Sequence, residues 1–159
     1  MSQDRYPITP SGYERAAKEL EQLKTVERPS VIVEISEARA HGDLSENAEY
    51  HAALEKQGFI EAKIKKLEWM VGCALVIDPK ELSGDTVKFG ATVELFDEES
   101  EKKVHFAIVS EYEADIESSF ISHTSPLAKA IIGKKVGETV EVAAAGSIIS
   151  YYIESVSYV

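Results

Sequence analysis

Residues Ala38–Tyr50 read A-R-A-H-G-D-L-S-E-N-A-E-Y. This stretch interrupts two segments with helical periodicity. Before it, Val31, Ile35 and Ala38 recur at intervals of four and three. After it, Ile60, Ile64, Leu67 and Val71 recur in the same way. Two helices that each carry so narrow an apolar stripe bury it by pairing, and the turn between them leaves them antiparallel. The turn itself carries Gly42, two acids three residues apart (Asp43 and Glu46) and a third acid at Glu49. The sequence therefore predicts a helical hairpin with carboxylates at its end, the tip spanning residues 41–50.

Upstream, Thr9-Pro10-Ser11-Gly12 precedes Tyr13-Glu14 as a helix start, with Thr9 or Ser11 as the cap and Glu14 placed to close a capping box with Ser11. Tyr13, Ala16, Leu20 and Leu23 then form one stripe. In that register positions 27 and 30 should be apolar, but they hold Glu27 and Ser30, and the stripe resumes late at Val31. Pro29 lies in the gap. An interior proline costs about 3 kcal/mol through a lost hydrogen bond and a clash with the preceding turn. A kink or short break near residues 26–29 is expected, with Pro29 opening the next segment. That segment should run to about Ala40 and end at Gly42. The return helix should start near Asp43–Ser45 and reach Gly72, roughly 28 residues or about 42 Å. Glu34, Glu37, Glu49, Glu55, Lys56, Glu61 and Lys65 cover the outer faces, so an antiparallel two-stranded coiled coil is the economical packing.

The texture changes at Leu75-Val76-Ile77-Asp78-Pro79. Short β-like runs follow at residues 86–89, 91–96, 104–109, 139–142 and 147–157, separated by turn signals. Ser125–Ile132 reads as a short helix, with Ser125 capping, Pro126 at its first position and Gly133 ending it. The expected fold class is α+β. A helical hairpin occupies residues 1–76 and a small α+β domain residues 77–159.

Composition narrows the function classes. The chain has 159 residues, 44% hydrophobic, with a net charge of −11. That charge opposes wholesale non-specific binding to nucleic acid. It is uneven: residues 1–74 hold 10 Lys and Arg against 13 Asp and Glu, net −3, and residues 75–159 hold 7 against 15, net −8. A basic surface is therefore a local patch, expected in the first half. No apolar run of about 18 residues is present, so no membrane association is expected. The start lacks the apolar core of a secretory signal. The single Cys73 fits a reducing cytoplasm and reads as a small apolar residue near a helix end.

Spacing alone does not settle what the tip acids do. Asp43-x-x-Glu46 is what a helix N-terminus prefers, Asp as cap and Glu three residues on, both favourable to the helix dipole. The same two carboxylates are also apt ligands for a hard cation. Mg²⁺ takes one or two carboxylates and fills its remaining positions with waters and phosphates. Two-metal phosphodiester hydrolysis needs such ions beside an activated water. Two carboxylates alone are an incomplete site, so the free chain should bind Mg²⁺ poorly. His41 and His51 flank the tip, but with Asp43 their spacing matches no common zinc pattern.

Three separated motifs carry a family signature. Gly42–Ala53 (G-D-L-S-E-N-A-E-Y-H-A-A), Phe89–Val93 (F-G-A-T-V) and Ile121–Glu138 (I-S-H-T-S-P-L-A-K-A-I-I-G-K-K-V-G-E) resemble the Gre family of bacterial transcript-cleavage factors, in order and over essentially the whole chain. The resemblance implies an N-terminal antiparallel coiled coil and a C-terminal FKBP-like domain. It implies a monomer that binds RNA polymerase at its secondary channel and inserts the hairpin toward the active site. There the polymerase itself cuts backtracked RNA. The chain would not be an enzyme alone. Asp43 and Glu46 match the family's catalytic acids, which help hold a Mg²⁺ shared with the polymerase and activate water. Arg39, Asn47, Tyr50 and Lys56 are implied as support around the nascent RNA 3′ end, and Ser125 and Pro126 as polymerase contacts. Family members often carry a basic residue where Leu54 stands. Lys56 lies on another helix face, so a weak basic spot and short cleavage products are expected. An FKBP-like fold does not by itself bring prolyl isomerase activity, and the second half has no tryptophan to line a proline pocket. Two rival readings stay open: a channel-binding inhibitor of the polymerase, and a structural adaptor whose tip acids only cap a helix.

Overall fold

The computed structural model describes residues 4–42 and 47–159 and is α+β. It divides into two compact units, Tyr13–Ala74 and a second made of Leu75–Val159 with the residues up to Gly12. The first strand therefore groups with the sheet rather than with the helices that follow it in sequence.

The helical unit is built from α1 (Pro10–Gln22), α2 (Arg28–Arg39) and α3 (Ala48–Gly72). No break separates α1 from α2. Leu23–Glu27 forms a π-helical turn, in which the Arg28 amide donates to the Leu23 carbonyl. A π turn takes one extra residue without ending the helix. The buried hydrophobic residues on this arm are Ala16, Leu23, Val31 and Ala38, so the intervals are seven, eight and seven. The interval of eight is the slip visible in the sequence, and the π turn absorbs it. The helix also starts differently from expectation. Thr9 is the cap, its Oγ1 accepting from the Gly12 amide at 3.2 Å. Glu14 forms no capping box with Ser11 and pairs with Lys18 instead, at 3.3 Å.

On α3 the buried face is Ala53, Ile60, Ile64, Leu67 and Met70; Val71, expected in the seam, is only half-buried. A fully buried aliphatic side chain contributes roughly 1.5–3 kcal/mol, so this seam dominates the pairing. Ion pairs line its rims. Arg28 grips Glu61 with two hydrogen bonds of 2.8 Å, Lys24 meets Glu68 at 3.2 Å, and Glu34 meets Lys56 at 3.0 Å. Residue numbers rise along one arm as they fall along the other, so the arms are antiparallel. Cys73, half-buried, follows the last turn of α3.

The sheet unit holds β1 (Tyr6–Ile8) paired with β2 (Ala74–Val76), and five further strands: β3 (Thr92–Asp97), β4 (Lys102–Val109), β5 (Phe120–Ser122), β6 (Thr139–Ala144) and β7 (Ser147–Ser157). Their order is β5-β4-β3-β7-β6, antiparallel except for the parallel β4–β5 pair. Helix α4 (Pro126–Ile131) contributes Ala128 and Ile131 to the core, which they share with Val93, Leu95, Ile108 and Ile153. Residues 86–89 do not form a strand. Thr86 makes one isolated bridge to Lys135, and Gly84 and Gly90, both at positive φ, bracket a segment too short for a ladder. Val87 is nevertheless fully buried.

One buried carboxylate ties the N-terminal residues to this unit. Glu113 ends a 3₁₀ turn capped by Ser110. Its carboxylate accepts from the Ser110 amide (3.2 Å), Ser110 Oγ (2.7 Å), the Thr9 amide (3.2 Å) and Thr9 Oγ1. Nearby, the Tyr112 amide donates to the Tyr6 hydroxyl at 2.9 Å.

Candidate functional site

The end of the helical unit is organised by Asn47. It is the N-cap of α3, and its Oδ1 accepts from the Tyr50 amide at 3.0 Å. Its Nδ2 donates to the Ala38 carbonyl in the last turn of α2, at 2.6 Å. One carboxamide thus starts the return helix and ties it to the outgoing one. An acceptor and a donor are needed together, which Asn supplies and Asp does not.

This bears on Asp43 and Glu46, which lie outside the described residues. Helix α3 begins at Ala48 with Asn47 in the cap, later than the expected start near Asp43–Ser45.

The other predicted residues separate into two groups. Arg39 is exposed and makes no ion pair among the described residues. It stands in the last turn of α2, where a cation suits the helix dipole. Tyr50 is half-buried, its ring edge-on to His51 with centroids 5.6 Å apart. Lys56 is not a free cation: it is paired with Glu34, a cross-arm pairing that sequence spacing did not reveal. Leu54 is exposed. Between the arms an open cleft of about 350 Å³ is lined by Glu34, Glu37, His41, Glu49 and Lys56 among others. His41 Nε2 lies 3.9 Å from Glu49 Oε2. No group of three His, Cys, Asp or Glu among the described residues is arranged to hold a metal.

In the sheet unit, Ser125 caps α4 as expected, its Oγ accepting from the Ala128 amide at 3.2 Å, and Pro126 is exposed at the first helical position. Ser122 Oγ and Thr124 Oγ1, 2.7 Å apart, order the turn before it. Capping accounts for Ser125 without a partner. It also fixes the shape of the exposed segment that leads into Pro126.

Two family models cover the two halves. The model described as "Transcription elongation factor, N-terminal" matches residues 6–76, and "Transcription elongation factor, GreA/GreB, C-term" matches residues 82–158. The chain belongs to the GreA/GreB family of transcription elongation factors. Similar proteins include the transcription elongation factor GreA of Acidiphilium cryptum, 56% identical over 97% of this chain and 98% of that one. The GreA of Phenylobacterium zucineum is 53% identical over 98% and 99%. Among solved structures, GreA factor homolog 1 of Thermus thermophilus is 26% identical, covering 96% of this chain and 99% of that one, with a TM-score of 0.45. No helix among the described residues of this elongation factor is long and apolar enough to cross a membrane.

Proposed function

We propose that this elongation factor binds RNA polymerase through the secondary channel and stimulates the polymerase's own cleavage of backtracked nascent RNA. It is not an enzyme alone. In this reading the helical arms are an antiparallel coiled coil that carries the tip toward the polymerase active site, and the sheet unit is an FKBP-like domain that grips the polymerase near Ser125 and Pro126. Asp43 and Glu46 provide half of a catalytic centre whose other half belongs to the polymerase.

The observation that carries this reading is that the two family models of GreA/GreB factors cover both halves of the chain, residues 6–76 and 82–158. Helix α3, at 25 residues, is about 37 Å long, long enough to span a narrow pore. The donor set suits Mg²⁺, since carboxylate oxygens are its preferred ligands, and two of them leave positions for waters, phosphate and the polymerase's own acids. When bound, Mg²⁺ lowers the pKa of a coordinated water and offsets the charge building on the phosphate. What the chain itself contributes is positioning. One carboxylate orients the ion's coordination sphere and the other takes a proton from the attacking water as general base. Arg39, exposed in the last turn of α2 and without an ion pair among the described residues, is the candidate to hold a phosphate of the extruded RNA 3′ end. Lys56, engaged with Glu34, contributes less, which fits a weak basic spot.

The test adds the factor, as a monomer, to stalled and backtracked elongation complexes with Mg²⁺ and resolves the RNA. Wild type should shorten it. Asp43→Ala and Glu46→Ala should bind polymerase and lose cleavage. Cleavage by both variants at the wild-type rate refutes the metal-donor role. Binding with blocked synthesis and no cleavage would mark an inhibitor, and absence of binding a structural adaptor.

A further inference from the structure

Nothing in the cleavage reading uses the Phe89–Val93 motif, yet the fold brings its first residue to the segment that leads into Pro126. The rings of Phe89 and His123, both half-buried, meet edge-on with centroids 5.5 Å apart and planes at 76°. Strand β4 anchors both. The Ile108 carbonyl accepts from the Gly90 amide, and the adjacent Val109 carbonyl accepts from the His123 amide, each at 2.9 Å. Gly90 stands at φ 90°, and a β-carbon there would lie 3.3 Å from Pro79 Cγ, so glycine lets the chain turn directly after Phe89. His123 is the second residue of a turn closed by the Ser125 amide donating to the Ser122 carbonyl at 2.9 Å. Thr124 and Pro126 are exposed, whereas Nδ1 of His123 is buried and has no hydrogen-bond partner among the described residues. Burying a polar atom unpaired is unfavourable, so packing holds this ring in place, with Phe89 as its aromatic partner.

We infer that Phe89 and His123 are positioning residues for the polymerase contact: their ring pair braces the Ser122–Ser125 turn, and with it the exposed segment ending at Pro126, in the shape the polymerase meets. The inference rests on the reading above in which the sheet unit grips the polymerase near Ser125 and Pro126. A segment already held in its bound shape loses less freedom on association, which strengthens binding without any new contact. An aromatic pair shifts a local equilibrium by about two- to tenfold. The brace therefore acts on affinity to about that extent and leaves the cleavage chemistry alone.

The experiment uses full-length Phe89→Leu, His123→Ala, His123→Phe and Pro126→Ala beside wild type, with two readouts. Amide hydrogen exchange at His123, Thr124 and Ser125 in the free factor should be about two- to tenfold faster in Phe89→Leu and His123→Ala. It should stay at the wild-type rate in His123→Phe, which keeps a ring at the contact and removes the unpaired nitrogen. On stalled, backtracked elongation complexes the Kd should rise about two- to tenfold in the same two variants, while the cleavage rate at saturation stays within about twofold. A purely structural role would not raise the Kd of a folded variant, spare its saturated rate and be rescued by His123→Phe. Wild-type exchange in Phe89→Leu and His123→Ala overturns the brace. Faster exchange with an unchanged Kd overturns the positioning role. A raised Kd in both His123 variants with Phe89→Leu at the wild-type value overturns it too, and makes His123 a direct contact. Wild-type Kd in Pro126→Ala means that the polymerase-contact reading fails and takes the positioning role with it, while exchange still decides whether the brace exists.

Discussion

Gly12→Ala is expected to destabilise this protein, against the usual sign for such a change. Gly12 is the third residue of α1, and replacing a helical glycine with alanine ordinarily gains up to about 1 kcal/mol. Here a β-carbon would overlap the end of the Glu113 side chain. That side chain is flexible in principle, but its carboxylate is held by Thr9 and Ser110, and Glu113, Thr9 and Ser110 are all buried. Moving it strands two buried backbone amides, Thr9 and Ser110, at about 1–3 kcal/mol each. The balance is a net loss of about 1–5 kcal/mol, after setting the helical gain against the two stranded donors. Denaturant unfolding of four proteins tests it: wild type, Gly12→Ala, Glu113→Ala and the double variant. In the Glu113→Ala background the overlap is gone, so Gly12→Ala should become neutral or stabilising by up to about 1 kcal/mol. A Gly12→Ala protein as stable as wild type would falsify the clasp. A double variant whose losses simply add would show that the glycine is required for some reason other than room for Glu113.

Three further outcomes are expected. Asn47→Ala should cost about 1 kcal/mol of stability as a lost cap, whereas Asp43→Ala should stay within about 0.5 kcal/mol; equal losses in thermal unfolding would return the capping role to Asp43. The hydrogen bonds from Arg28 hold Glu61 below the ordinary carboxylate range, so its stabilising contribution is present above that range and is lost as pH falls through the lowered value. Carboxyl NMR titration should show the low midpoint and its return to ordinary in Arg28→Ala; an unshifted Glu61 argues against the cross-arm pairing. Burial pushes Tyr6 above the usual tyrosine range, so its contribution is complete below about pH 10 and is lost as pH rises through the folded-state value. Tyr6→Phe should flatten that alkaline loss in unfolding experiments at pH 8 and pH 11, while costing about 1 kcal/mol at neutral pH through the lost hydrogen bond to its hydroxyl.

The α+β class and most elements were legible because periodicity is a direct consequence of burial. The stripes at Val31–Ala38 and Ile60–Leu67 both proved to be buried seams, and Ser125–Ile132 formed its short helix with the expected cap. Other features fell to physics that periodicity does not encode. The late restart of the stripe at Val31 says that one residue is extra. It does not say whether the helix breaks or widens, and the widened turn won because it keeps the helix continuous while Pro29, with no N–H to give, sits just beyond it. Residues 86–89 alternate like a strand, yet their partner is one bridge, since the glycines at 84 and 90 turn the chain away. Strand β5 has three residues and pairs in parallel with β4, a long-range contact that no local pattern announces. The Glu113 clasp joins residues 104 positions apart and was invisible for the same reason.

The tip shows how a sound local rule can point to the wrong residue. Asp43, Ser45 and Asn47 are all good N-cap residues, and Asp43 had the added merit of Glu46 three positions on. A local rule ranks them by what each does for one helix. The fold ranks them by what each does for two, because α2 must end where α3 begins. Asn47 accepts from the Tyr50 amide and donates to the Ala38 carbonyl at once, which a carboxylate does not do. That second bond is tertiary, so sequence spacing could not weigh it. The N-cap of α3 is therefore Asn47, and Asp43 and Glu46 lie outside the described residues. The cleavage assay with Asp43→Ala and Glu46→Ala, and not the cap of α3, is what decides whether the two acids ligate a metal in the company of a partner.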